Sequence, residues 1–339
     1  MGKGISRLLV FEAEIGLSRR KFKMAYRQAL VTGGAGFIGS HLVEALLEKG
    51  CAVKILDNLS TGRLENLTHV RERVNFFQGD IRDTRLLAEA VRGCDVVFHQ
   101  AAMVSVPKSV ENPIESLEIN DLGTLRVLEA ARKNGVRKAV LASSCAVYGN
   151  DPQLPKHEAL PLKPMSPYAV HKLIGESYAR LYTELYGLEA VCLRYFNVYG
   201  PRQDPSSPYS GVISIFLSRA IKRQRPIIFG DGAQYRDFIY VKDVVRANML
   251  AAESSSASGN VYNIGTGSFL RILDLWKAIR DRLAVHIEPE FAPCRLGDIR
   301  ESLADVHRAR EHLGFEAQYP FDIGLDATLK WYMENSAFL

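Results

Sequence analysis

Paired cysteines are missing from this chain, and with them the simplest ways of stapling a fold. Five cysteines (Cys51, Cys94, Cys145, Cys192, Cys294) are scattered over 339 residues with no C-x-x-C pair, and none of the eight histidines is spaced H-x-x-x-H. No disulfide framework or zinc motif follows, so a reduced compartment and no bound metal are expected. No apolar run reaches the ~18 residues of a membrane span, and LLVF at 8–11 is too short for a signal core and is followed by Glu12 and Glu14. A cytoplasmic location without a membrane partner is the expectation. Net charge is only +5, and the one dense basic run, RRKFK at 19–23, precedes the first convincing strand. It reads as a solvated tail, and the body of the chain lacks the basic, aromatic-interleaved clusters that nucleic acid would need. Internal repeats are absent too.

What is present is a hydrophobic fraction of 47%, enough for a large core. Strand-like segments ALVT (29–32), VKIL (53–56), VNFF (74–77), DVVF (95–98) and KAVLA (138–142) alternate with helical ones. Residues 38–49 show the helical period, with Ile38, Leu42, Ala45 and Leu46 on one face before Gly50. This alternation predicts an α/β fold with a doubly wound parallel (Rossmann) sheet. Past 195, prolines and glycines cluster (Pro201, Pro205, Pro208, Gly211), and VYNI at 261–264 reads as a further strand. The expected organisation is an extension at 1–23, with Met24 as a candidate start, and a dinucleotide-binding unit at 24–195. The chain returns to that unit at 238–264, and a smaller mixed substrate unit at 196–339 is interleaved with it.

Gly33, Gly36 and Gly39 fall where the first strand meets the first helix. Glycine there lets the backbone approach a pyrophosphate that caps the helix, although such a string alone also describes a plain turn. Asp57, after the second strand, stands where an acid would hold the adenosine ribose and repel a 2′-phosphate, which favours NAD over NADP. Ser40 and His41 occupy the places where a Walker A loop needs Lys and Ser/Thr. Asp80-Ile81 and His99-Gln100-Ala101-Ala102 follow the third and fourth strands, at carboxyl ends where open sheets bind ligands. Tyr168 and Lys172 share a helix face at i, i+4. An ammonium beside the phenol is expected to draw its pKa down from ~10, readying it to take a proton from a hydroxyl. Ser144, after the strand at 138–142, offers that hydroxyl a hydrogen bond, and no G-x-S-x-G elbow marks it as a nucleophile.

Together these motifs resemble the extended short-chain dehydrogenase/reductases, and within them the UDP-glucose and UDP-N-acetylglucosamine 4-epimerases. The segments are TGGAGFIGSH (32–41), DNLSTG (57–62), HQAA (99–102), SSCAVYG (143–149), SPYAVHK (166–172), LRYFNVYGPRQDP (193–205), YRDFIYVKDV (235–244) and RLGDIRESLAD (295–305). The resemblance starts near Ala29 and leaves out 1–23. It implies NAD held by Gly33, Gly36, Phe37, Ile38, Asp57, Asn58, Asp80, Ile81, Gln100, Ala101, Ala102, Asn120, Tyr168 and Lys172, with Asn120 helping to position the lysine. Tyr168 is then the base, Lys172 its partner and Ser144 the ligand of the substrate hydroxyl. Substrate contacts are implied at Ser105, Ser144, Asn197, Arg236, Arg295, Asp298 and Ser302. Asn197 would meet the diphosphate, and Arg236, Arg295 and Asp298 would form a uridine-diphosphate clamp, as suits Arg on phosphate. Without the resemblance, Arg236-Asp237 reads as a surface ion pair.

Dehydratases of the resembled group carry Asp-Glu before the V-Y-G segment, and decarboxylases carry Glu. Here those places hold Cys145 and Ala146, so the implied reaction is 4-epimerisation of a UDP-hexose through transient oxidation at C4. A small residue at Ser302 leaves room for a C2 acetamido group, which points to UDP-GlcNAc/UDP-GalNAc with UDP-Glc/UDP-Gal alongside. UDP-glucuronate epimerisation, or another nucleotide-sugar dehydratase or reductase activity, is the alternative within the group. A catalytically inactive dinucleotide-binding sensor is the alternative of another class, and the intact Ser144, Tyr168 and Lys172 set speaks against it. The resemblance also implies a homodimer packed through helices at 113–133 and 166–187.

Overall fold

The computed structural model describes residues 25–206, 211–294 and 299–338, so the extension at 1–23 and the clamp residues Arg295 and Asp298 lie outside the described residues. Seven parallel strands make the central sheet: β1 (Gln28–Thr32), β2 (Ala52–Asp57), β3 (Val74–Gln78), β4 (Val96–His99), β5 (Lys138–Ser144), β6 (Glu189–Tyr195) and β7 (Val261–Ile264). Their spatial order is β7-β6-β5-β4-β1-β2-β3. Alternate side chains serve opposite faces. Val31 joins Ile55, Phe98 and Val191 on one, while Leu30 joins Leu56, Val97 and Cys192 on the other. Helices cover both faces, the condition under which a parallel strand is a continuous apolar run. One face carries α1 (Phe37–Glu48) and, after β6, the helix Val241–Glu253. The other carries α2 (Thr84–Val91), α3 (Gly123–Lys133) and α4 (Pro167–Tyr186). None of the described helices is long and apolar enough to cross a membrane.

Strand order reverses between β1 and β4, so the chain leaves their carboxyl ends toward opposite faces and a crevice opens between them. The stretch read as one helix at 113–133 is interrupted. Pro113–Leu117 and α3 are α-helical, but Glu118–Leu122 is a π-turn. The extra residue in that turn sets the buried Asn120 toward the loop after β4. α4 starts where Ser166 caps it, its hydroxyl accepting from the Ala169 nitrogen at 3.2 Å with Pro167 at the first helical position, and it stops at Gly187 in the left-handed region.

The second unit has its own aromatic core, with Tyr199, Phe216, Tyr240, Trp276 and Tyr332 all buried. Three short strands carry its side of the crevice. Tyr235–Arg236 lies between Leu270–Arg271, antiparallel, and Glu301–Ser302, parallel, which puts Ser302 beside Arg236. Asn197–Tyr199 pairs with Phe238–Tyr240 and joins the two units.

Candidate active site

At the end of β1 the chain turns through Gly33 at φ +69°, where a Cβ would stand 2.8 Å from the Ala101 nitrogen. Gly39 is tighter still, its Cβ position lying 2.1 Å from the Gly33 carbonyl oxygen. No side chain fits at either place, so the first turn of α1 folds directly onto the strand end. Gly36 caps α1 without a side-chain hydrogen bond, leaving the N–H groups beside Phe37 and Ile38 for an anion. At the end of β2 the buried Asp57 carboxylate accepts from the Ala35 nitrogen (2.9 Å) and the Leu59 nitrogen (2.8 Å). Burial pushes its pKa up, and those two N–H groups oppose the shift. Asn58 donates to Asp80 at 2.8 Å. Burial works to raise the Asp80 carboxyl, but the Arg82 guanidinium holds it below the usual range. Ile81 is buried against Gly123, and the Ala101 nitrogen, ahead of Ala102, donates to the Thr32 hydroxyl at 3.3 Å. A turn with no room for side chains, an uncapped helix start and a carboxylate at the second strand end suit a pyrophosphate and a ribose, the parts of a dinucleotide.

Tyr168 and Lys172 lie one turn apart on α4. Ser144 ends β5, where its hydroxyl accepts from the Ala146 nitrogen (3.2 Å) and faces the Tyr168 phenol closely enough to oppose the rise in its pKa. The Lys172 ammonium donates to the Ala142 carbonyl (2.8 Å) and lies 5.8 Å from the centre of the Tyr168 ring. Two expectations are corrected here. Lys172 does not bring the phenol below its ordinary value: burial pushes Tyr168 up to about 12, with Ser144 opposing. Burial likewise pushes Lys172 down to about 8, against the attraction of Cys192 and Glu176. Nor does Asn120 spend its amide on the lysine. It accepts from the Met103 nitrogen (2.8 Å) and donates to the Met103 carbonyl (3.0 Å), fixing the loop after β4. Gln100 also turns away, its amide donating to the Tyr195 hydroxyl and to Asn248, both at 3.1 Å.

His99 takes a place in the site that its motif did not announce. Its ring lies between the Thr32 hydroxyl (2.8 Å) and the Thr124 hydroxyl (3.0 Å). Thr124 gives its single proton to the Asn120 carbonyl at 2.6 Å, so Nε2 of His99 must donate and Nδ1 must accept. Burial and the nearby Lys172 push the imidazole down to about 3, so it stays neutral behind the lysine.

On the substrate side, Ser105 caps the helix Val106–Glu111 by accepting from the Lys108 nitrogen at 3.2 Å. The Cys145 thiol lies beside the buried Ser302 and in the field of Arg236. Burial pushes that thiol up to about 11, so it remains protonated at neutral pH. Arg236 donates to the Tyr235 carbonyl (2.9 Å) and the Arg300 carbonyl (3.2 Å), and Asn197 donates to the Asp237 carbonyl (3.2 Å). Asp237, read from sequence as half of a surface ion pair, has no exposed surface at all. Behind α4 the buried Glu176 and Arg194 pair at 2.7 Å. Glu176 could have been found as the next i+4 position after Lys172, whereas Arg194 and Asp237 carry no local signal.

Residues 29–265 match the NAD dependent epimerase/dehydratase family. A putative UDP-glucose 4-epimerase of Methanocaldococcus jannaschii is 43% identical over 91% of this chain and 99% of its own length. A UDP-glucose 4-epimerase of Mycolicibacterium smegmatis is also 43% identical, over 91% of this chain and 99% of its own. Among solved structures, a UDP-N-acetylglucosamine 4-epimerase of Methanobrevibacter ruminantium M1, in complex with UDP-N-acetylmuramic acid, superposes with a TM-score of 0.88 at 40% identity. That match covers 92% of this chain and all of the other.

Proposed function

The chain belongs to the NAD-dependent epimerase/dehydratase family, and from that premise we propose that it is a 4-epimerase of UDP-hexoses, with UDP-GlcNAc and UDP-GalNAc as its preferred pair. The observation that carries the choice of reaction is the protonated Cys145 thiol, packed on Ser302 in the field of Arg236. A dehydration needs a base at that place, and a thiol held near 11 does not act as one at neutral pH. Ser144 orients the C4 hydroxyl, and Tyr168 takes its proton and later returns it. Bound NAD supplies the hydride acceptor and a positive charge. Groups of the protein alone leave the phenol near 12, and a cationic nicotinamide works in the opposite direction. Lys172, at about 8, is largely charged at pH 7 and reinforces that field from behind. Asn197 and Arg236 would hold the diphosphate while the oxidised sugar turns, so that either face of C4 can be presented at the same place in the site.

Ser302 supports the N-acetylated pair, because a side chain of that size beside Cys145 takes less room than a bulky one would. Purified protein incubated with UDP-GlcNAc should yield UDP-GalNAc by proton NMR. Turnover of UDP-glucuronate alone would overturn the reading in favour of the acidic sugar. Ser302→Tyr should lower kcat/KM on the N-acetylated pair at least about tenfold more than on UDP-Glc/UDP-Gal. Equal losses on both pairs would sink the pocket argument.

The reading includes a homodimer. Ile114 and Leu185 are 70% and 66% exposed, and Leu117, Leu122 and Leu181 are exposed beside them on the same two helical segments. A second copy presenting the same face would bury them.

A further inference from the structure

Asp237 lies where three residues of the substrate cleft, Asn197, Arg236 and Ser302, meet. Its backbone N–H donates to the Ser302 carbonyl at 2.9 Å. Its carbonyl accepts from both the backbone nitrogen (3.0 Å) and the side-chain amide (3.2 Å) of Asn197. Its chain neighbour is Arg236, on the strand that runs between Leu270–Arg271 and Glu301–Ser302. The carboxylate itself is buried without exposure and takes four hydrogen bonds. One oxygen accepts from the nitrogen and the hydroxyl of Thr266, both at 2.8 Å. The other accepts from the Gly267 nitrogen (3.0 Å) and the Ala304 nitrogen (3.2 Å). Thr266 and Gly267 precede the strand at 270–271, and Ala304 follows the strand at 301–302. The side chain therefore ties the two outer strands of the small sheet to each other across the middle one. No ligand contact is needed to explain it, and a lone buried carboxylate would be costly if its only task were to fill space.

We infer that Asp237 is a positioning residue for the nucleotide-sugar cleft, holding Asn197, Arg236 and Ser302 in register through its backbone and through Thr266, Gly267 and Ala304. The inference rests on the assignment of those three residues to the substrate site. Through it, the geometry of the nucleotide clamp is set by a carboxylate that never meets the nucleotide. All four groups facing the carboxylate are donors. An amide in its place has one end that donates, and it would turn that end toward an N–H. Asp237→Asn is thus close in volume and wrong in polarity.

The test uses the holoenzyme and reads four quantities on wild type and Asp237→Asn: KM and kcat on the preferred UDP-sugar, affinity for UDP alone by calorimetry, and NAD content after purification. The variant should show KM and the UDP dissociation constant raised together by about tenfold to a hundredfold, the range for a charged hydrogen-bond set left unsatisfied. NAD content should match wild type and kcat should change far less than KM. Unchanged KM and UDP affinity would overturn the inference. So would parallel losses of kcat and bound NAD, which would mark a general fold defect instead. If Asp237→Asn does not fold, Thr266→Val removes the single hydroxyl donor and decides alone: a KM rise of about twofold or more at unchanged kcat is expected, and wild-type KM overturns the inference. A wild-type protein that neither turns over UDP-sugars nor binds UDP would instead remove the functional reading beneath it.

Discussion

Tyr168→Phe should lower kcat by about a hundredfold to ten-thousandfold, the usual contribution of a positioned acid–base group, while the protein keeps its fold and its NAD. The substitution removes one oxygen. The lost contact is the polar one to Ser144, whose hydroxyl still accepts from the Ala146 nitrogen. Lys172 keeps its own anchor on the Ala142 carbonyl. Its depressed pKa has burial as the cause, with Cys192 and Glu176 opposing, so the lysine should titrate near 8 in the variant as well. Steady-state turnover, together with NAD released on denaturation, checks the prediction. A variant that keeps turnover within about tenfold of wild type would show that another group takes the proton.

The legible parts of this site are those in which a residue type acts at a fixed local spacing. Gly33 and Gly39 could be read because the reason for glycine is local: each backbone is approached by its own turn or by the next strand end. Tyr168 and Lys172 could be paired because i and i+4 share a face in any helix. Spacing does not report burial, however. The phenol's rise to about 12 comes from the protein packed around it, and the lysine 5.8 Å from the ring does not reverse it. The Asn120 amide's hold on Met103 was not legible, because it sits in a π-turn, a break in helical phase with no proline or glycine inside it to signal it. Asp237 was not legible for a different reason. Its partners at 266, 267 and 304 are far along the chain, and only the strand order of the small sheet brings them together. The doubly wound sheet was readable because apolar runs alternate with helical period over long stretches. The small sheet was not, because its outer strands Leu270–Arg271 and Glu301–Ser302 are two residues each.

Glu176→Gln should lower the free energy of unfolding by about 3–5 kcal/mol, the cost of breaking a buried ion pair from one side. Glu176 and Arg194 are 5% and 3% exposed, so little solvent is available to screen what remains. The Glu176 carboxylate takes the Ser143 hydroxyl at 2.5 Å and the Arg194 guanidinium at 2.8 and 2.7 Å. Gln keeps the shape and one acceptor oxygen but leaves the Arg194 charge uncompensated, its other partner being the neutral Tyr148 hydroxyl at 2.9 Å. Urea unfolding of wild type and variant checks the loss. Adding Arg194→Met should recover part of it, because no charge is then left buried alone. Catalysis should register the same change through pH. Glu176 opposes the burial that depresses Lys172, so its neutralisation should take the lysine further below about 8. The charged lysine is the form that favours phenolate, and it is lost as pH rises through its pKa. The alkaline limb of the kcat profile should therefore move to lower pH, while Tyr168→Phe in the same background leaves little activity to profile. A stability loss under about 1 kcal/mol with an unmoved alkaline limb would mean that Arg194 finds compensation elsewhere, and that Glu176 neither secures α4 nor supports the charge on Lys172.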